Sequence, residues 1–272
     1  MIALAEPPEK TSLVDEPVSA SRLSLFHACR LKFFFRYVEK LTKPVSAALF
    51  VGQAVHAALQ EWSTRRWKGQ PCAETDIWQG FDAQWITAQG EMPEPIQWDD
   101  VEEQTQRGKA WGLVEHYLAN TPIPVEEKPV AVEVGVEADL SPLGFPSLRG
   151  VIDLVRPGGT IVDFKTTAVT PNEEQVLHKN EMQLTAYGLL YREATGSKES
   201  GFELHHLVKT KVPKLVVTNH EPITEAQRSR LFRSIDSYMD GVEREDWIPS
   251  PGLQCAACEF FSECRAWTGG AS

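Results

Sequence analysis

The stretch from Gly150 to Thr167, GVIDLVRPGGTIVDFKTT, constrains the fold of this chain more than any other. It reads as a β-hairpin, with an alternating run over Val151–Val155, a turn at Arg156-Pro157-Gly158-Gly159 and a second run over Thr160–Thr166. Side chains two apart on a strand point the same way, so Asp163 and Lys165 share a face with Ile161, and Val162 and Phe164 take the other. A three-residue loop over Pro157–Gly159, with a glycine in the left-handed conformation, sets Asp153 directly across from Asp163. Like charges at cross-strand distance repel, and the flanking residues are too apolar for a simple water-facing edge. A hard divalent cation held by oxygen ligands is the usual remedy, and Lys165 beside the pair neutralises charge or orients a water. The plainer alternative is a solvated acidic pair on an ordinary hairpin.

The rest of the chain is read around that hairpin. Residues 1–18, rich in Pro, Glu and Ser, are expected to form a mobile tail, and 19–272 one elaborated domain. A helix capped by Ser19 or Ser21 runs through SRLSLFHACRLKFFFRYVEKL, with Phe33-Phe34-Phe35 in the core. Its Lys32 and Arg36, four apart, form either a phosphate-contacting face or a solvated one. A second helix covers about Ala47–Trp67, where Gly52 and His56 share a face and the glycine lets another backbone come close. Two amphipathic helices between about 70 and 122 form a helical insertion beside a core of about 128–245; Ile77, Phe81 and Trp85 mark one, Trp111, Val114 and Leu118 the other. Alternation in PVAVEVGVEADL marks a strand with Val130, Val132, Val134 and Val136 on one face and Glu133 on the other. A helix over 173–194 carries Gln183 and Tyr187 one turn apart. Two strands over 201–220 and a helix over 224–243 complete a mixed α/β sheet flanked by helices.

Composition narrows the function classes. A net charge of −11 argues against a broadly basic coat for duplex DNA, though a local basic groove can coexist with it. No apolar run approaches membrane-spanning length and no leader pattern opens the chain, so a cytoplasmic protein with no membrane partner is expected. Cysteines are then expected to remain thiols. Cys255, Cys258 and Cys264 form C-x2-C-x5-C within the cysteine-rich end at 250–267. Three cannot complete a four-coordinate thiolate site, and Cys29 is the natural fourth.

The pattern Asp153, then Asp163-x-Lys165, resembles the core of the PD-(D/E)xK nucleases, in particular their RecB-type exonuclease branch. The G-x-x-x-H of Gly52–His56 and the Q-x-x-x-Y of Gln183–Tyr187 match further elements of that branch, in its order. The resemblance implies a restriction-endonuclease-like fold and metal-dependent DNA hydrolysis, probing DNA ends or single strands. It implies Mg2+ or Mn2+ held by Asp153, Asp163, the Phe164 carbonyl and either His56 or Glu133, with Lys165 positioning water. Gln183 would orient Lys165 or a phosphate, and Tyr187 would contact the strand. One cysteine before the core and three after it resemble the iron–sulfur staple of AddB-type and CRISPR-adaptation nucleases. That implies a [4Fe–4S] cluster on Cys29, Cys255, Cys258 and Cys264, with structural Zn2+ as the rival. Arg30 follows the first cysteine where many relatives have proline. A DNA-binding subunit of a repair, helicase or adaptation complex, with little activity alone, is the alternative function. A zinc-bound interaction protein with a purely structural hairpin is a second.

Overall fold

The computed structural model describes residues 13–267 and 269. The chain divides into two compact units, each assembled from segments distant in sequence. One comprises residues 43–136 and 150–228, the other 1–42, 137–149 and 229–272.

The larger unit is organised on a five-stranded mixed sheet ordered β1 (Ala131–Ala138), β2 (Leu148–Val155), β3 (Thr160–Thr167), β4 (Gly201–Val208) and β5 (Lys214–His220). β2 and β3 form the expected antiparallel hairpin. The Arg156 N–H donates to the Thr160 carbonyl at 2.9 Å, closing a three-residue loop in which Gly158 and Gly159 both have positive φ. β3 pairs in parallel with β4, the crossover between them being α6 (Glu173–Thr195), and β5 returns antiparallel. β3 is central, and its interior residues 161–164 are buried, as a strand covered on both faces requires.

Three helices cover one face: α3 (Ala47–Lys68), α4 (Glu74–Gly90) and α5 (Asp100–Asn120). α3 is capped by the Ser46 hydroxyl and ends on Gly69 at φ 67°, the left-handed C-terminal position that suits glycine. These helices are not an appendage beside a core. Phe81, Trp85, Leu113 and Tyr117 lie in one continuous apolar cluster with Leu154, Val162 and Phe164 of the hairpin. Cys72, in the connection between α3 and α4, packs against it. A buried polar chain spans the same layer: Tyr117 Oη to His205 Nδ1 at 2.9 Å, His205 Nε2 to Glu203 at 3.0 Å, and Arg156 to both Glu203 and Glu127.

Two expectations need correcting, one in a strand and one in a helix. β1 lacks strict alternation: Glu133 adopts φ 47°, interrupting the pleat, and Val130 is exposed. The glycine at 52 makes room for a side chain, since a Cβ there would stand 2.9 Å from Thr166 Oγ1.

In the smaller unit the expected long N-terminal helix is broken. α1 (Ala20–Ala28) ends where Cys29 is extended (φ −164°, ψ 107°), then α2 (Arg30–Phe33) resumes and runs into a π-helical turn over Phe34–Val38. Phe33, Phe34 and Phe35 are buried. Lys32 and Arg36 form neither a phosphate face nor a simply solvated one, because both pair with Glu259. The tail expected over 1–18 stops short of 18: Val18 is fully buried and bridges Leu148, and residues 1–12 lie outside the described residues. α7 (Glu225–Glu243) is capped reciprocally by Thr224 and Gln227, and buries Leu231, Ile235, Tyr238 and Val242. A last helix, α8 (Phe261–Trp267), closes the described chain. Among the described residues no helix is long and apolar enough to cross a membrane.

Candidate active site

The hairpin register runs Leu154↔Val162 and Val155↔Ile161, so one further step sets Asp153 opposite Asp163. There the Asp153 side chain enters the ladder, its Oδ2 accepting the Phe164 N–H at 2.9 Å. Asp163 is almost fully buried, and its Oδ2 faces Lys165 Nζ at 2.8 Å. From the helix above, Gln183 engages both: its carbonyl accepts from Lys165 Nζ at 2.6 Å and its amide donates to Asp163 Oδ1 at 2.8 Å. The same amide donates to the Tyr187 hydroxyl at 2.9 Å, so residues one turn apart on α6 act on one cluster.

Burial next to a second acid has a clear electrostatic result. Desolvation, then the charge of Asp163, pushes the Asp153 carboxyl up to about 8, against the opposing Phe164 N–H. Glu133, whose backbone is at φ 47°, is raised for the same two reasons, which places it in the field of Asp163. Burial raises the Tyr187 phenol, with Asp163 adding to the effect. His56 Nδ1 stands 3.9 Å from Asp153 Oδ2. Burial lowers its pKa, outweighing Asp163 and a hydrogen bond to the Phe164 backbone. A neutral imidazole between a carboxylate and a carbonyl is a competent ligand.

The structure therefore gathers Asp153, Asp163, Lys165, Gln183, Tyr187, His56 and Glu133 around the Phe164 backbone. It adds one residue that sequence reading passed over. His206 sits beside Lys165 across the parallel β3–β4 ladder, is buried, and has no hydrogen-bond partner for Nε2 among the described residues. Burial, then the Lys165 charge, lowers its pKa. The doublet His205-His206 on a strand sends one ring to each face, and only pairing with β3 reveals which one meets the lysine.

No three of the described His, Cys, Asp and Glu side chains are grouped closely enough, as they stand, to hold a metal ion. The chemistry of the donors nevertheless fits a hard cation. Two facing carboxylates, a third acid and a carbonyl would supply oxygen ligands, and a cation among them would relieve the burial and mutual repulsion that oppose ionisation of the acids. In the smaller unit, Cys29, Cys255, Cys258 and Cys264 line one cavity of about 300 Å3 with Phe35, Phe260 and Phe261. Burial and the three neighbouring sulfurs raise the Cys264 thiol. No disulfide forms among the five cysteines, and four thiols around one cavity are the donor type a thiolate-bound metal group would need on closer approach. The break at Cys29 between α1 and α2 accompanies this convergence.

Comparison with known proteins bears on the fold and the family. No curated protein matches by sequence. The chain resembles the crystal structure of a candidate exonuclease from Eubacterium rectale, with a TM-score of 0.62, 15% identity and coverage of 95% of this chain and 92% of the other. At that identity the likeness shows the fold. The crystal structure of SSO0001 matches at a TM-score of 0.34 and 16% identity, covering 87% of this chain and 94% of its own, too weakly to carry an argument. The profile of the PD-(D/E)XK nuclease superfamily matches residues 17–265, from the bridge at Val18 to the last cysteine, and encloses every site residue described above. A D-x-K strand facing a second acid, set on a mixed sheet and spanned by that profile, makes this chain a member of the PD-(D/E)XK nuclease superfamily.

Proposed function

We propose that this protein is a divalent-metal-dependent deoxyribonuclease of the RecB-type branch, an exonuclease acting on single-stranded DNA or DNA ends. The observation that carries the reading is the cross-strand Asp153–Asp163 pair with Lys165 and Gln183 locked onto it. Asp153, Asp163, the Phe164 carbonyl and His56 would hold Mg2+ or Mn2+, with Glu133 as a further acid. A divalent ion, when bound, polarises the phosphate and makes water more acidic. Lys165 holds its ammonium where charge develops on the scissile phosphate and orients the attacking water. Gln183 fixes Lys165 and Asp163 through opposite ends of one amide, so neither must reorganise during reaction. Tyr187 presents a phenol to the strand, and His206 constrains the lysine from its other side.

Cys29, Cys255, Cys258 and Cys264 are proposed to hold a [4Fe–4S] cluster that joins the ends of the smaller unit, with Zn2+ as the rival. Iron and acid-labile sulfide in the purified protein support the cluster; stoichiometric zinc without iron supports the rival. The net charge of −11 favours a second reading, in which the chain works as the DNA-binding subunit of a repair, helicase or adaptation complex and cleaves weakly alone.

The test uses the parent protein with Asp163→Ala and Lys165→Ala on end-labelled linear and circular single-stranded DNA in Mn2+. Loss of cleavage in both variants with an intact fold supports the assignment, and cleavage of linear but not circular DNA supports an exonuclease. Unchanged cleavage in both variants refutes it.

A further inference from the structure

We propose that a basic groove between α3, α5 and the β4–β5 turn is the track along which one DNA strand reaches the active site. This rests on the nuclease reading above. The groove encloses about 940 Å3. Lys109 of α5 and Lys209 and Lys211 of the turn line it, and no acidic residue does. In a chain with 38 acids against 27 basic residues, a large concavity with three lysines and no carboxylate is a local reversal of charge. None of the three lysines has a carboxylate within ion-pair distance among the described residues. A polyanion supplies the missing counter-charge.

The wall formed by α5 points the same way. Gly108 and Gly112, one turn apart, line the groove, and a Cβ built on either would meet nothing within 4 Å. A helical glycine costs about 1 kcal/mol relative to alanine. Packing within the protein calls for neither, so the bare backbone leaves room for something that comes close from outside.

Two elements lead from the groove toward the site. The Lys209 N–H donates at 2.7 Å to the carbonyl of Thr167, two residues beyond Lys165. Ala48 in the groove, Gly52 against Thr166 and His56 at the site repeat every four residues along one face of α3. At 1.5 Å per residue, Ala48 and His56 lie about 12 Å apart along the helix. Three lysines in a groove of this volume suit one backbone rather than a duplex, and tracking a strand by charge is indifferent to its sequence.

The experiment measures binding of a labelled oligothymidylate to the full chain in EDTA across a salt series, beside Mn2+-dependent hydrolysis of thymidine 5′-(p-nitrophenyl phosphate), a substrate too short to reach the groove. Lys109→Ala/Lys209→Ala/Lys211→Ala should weaken strand binding about tenfold or more and reduce the slope of log affinity against log salt by about 2, three phosphate contacts at ~0.7 each. Gly108→Leu/Gly112→Leu keeps every charge, fills the groove and should also weaken binding while leaving thermal stability equal or higher. Both variants should hydrolyse the short ester like the parent. Parent-like affinity and salt slope in the triple-lysine variant would overturn the proposal, as would tighter binding of duplex through the same lysines. Failure of the parent on the ester and on DNA would instead strike the nuclease reading, leaving the groove to be judged by binding.

Discussion

At the scale of single residues, this site stores electrostatic cost. Asp153 and Asp163 face each other under burial, and the Phe164 N–H on Asp153 and Lys165 beside Asp163 offset that only in part. Without metal, the folded state keeps a proton on Asp153 that the unfolded chain releases near pH 3.9. The folded form then binds more protons than the unfolded one, so stability falls as pH rises from about 4 through neutrality. Asp153→Asn should flatten that decline and raise the melting temperature in EDTA at pH 8, by ~3 °C for each kcal/mol relieved. The same variant should lose the stabilisation that Mn2+ gives the parent. A melt in EDTA that falls or stays level would contradict the repulsion inferred here. Gln183 makes a kinetic claim instead. Gln183→Ala leaves metal ligands and lysine in place but frees both to move, and kcat on single-stranded DNA should drop about 10- to 100-fold with KM nearly constant. A change confined to KM would place Gln183 in strand binding.

At the scale of elements, glycines in similar helices have opposite reasons to be there. Gly188 of α6 packs against Ile223, whose side-chain atoms stand 2.9–3.0 Å from a Cβ built on it. Gly112 of α5 faces open space. Gly112→Ala should therefore stabilise by about 1 kcal/mol through helix propensity. Gly188→Ala should gain the same propensity and lose it to overpacking, for a net destabilisation of about 1–2 kcal/mol. Urea unfolding of the two variants reads the contrast directly, and equal shifts would show that Ile223 moves aside freely.

At the scale of the whole molecule, the residues proposed for hydrolysis and the clustered cysteines fall in different compact units. Every residue assigned to hydrolysis lies in the larger, and all four clustered cysteines lie in the smaller. If the thiols hold a metal group, its binding free energy is folding free energy for the segments that supply them. Cys258→Ser should then lose hydrogen-exchange protection over 20–38 and 247–267. Protection in β3 and β4 should persist, because their core of Val162, Phe164 and Leu207 draws its partners from α3, α4 and α5. Loss of protection spread evenly over the chain would show that the cysteines stabilise more than their own unit.

The facing acids and the Gln183–Tyr187 pair were legible in local pattern. A hairpin has one register once its loop length is known, so the facing of Asp153 and Asp163 followed from Pro157-Gly158-Gly159. Helical spacing paired Gln183 with Tyr187 in the same way. What remained hidden needed contacts between distant segments. The extended Cys29 sits inside a continuous helical pattern, and propensity yields there to a cysteine cavity completed more than two hundred residues later. Glu133 leaves the strand alternation at a positive φ beside the buried acids, at a position periodicity reads as ordinary. His206 acquires meaning only when β4 aligns in parallel with β3. Side-chain periodicity belongs to one element and can be read along the chain, whereas strand order, helix breaks and the field at a buried carboxylate depend on which elements meet, and burial energy decides that only in the folded molecule.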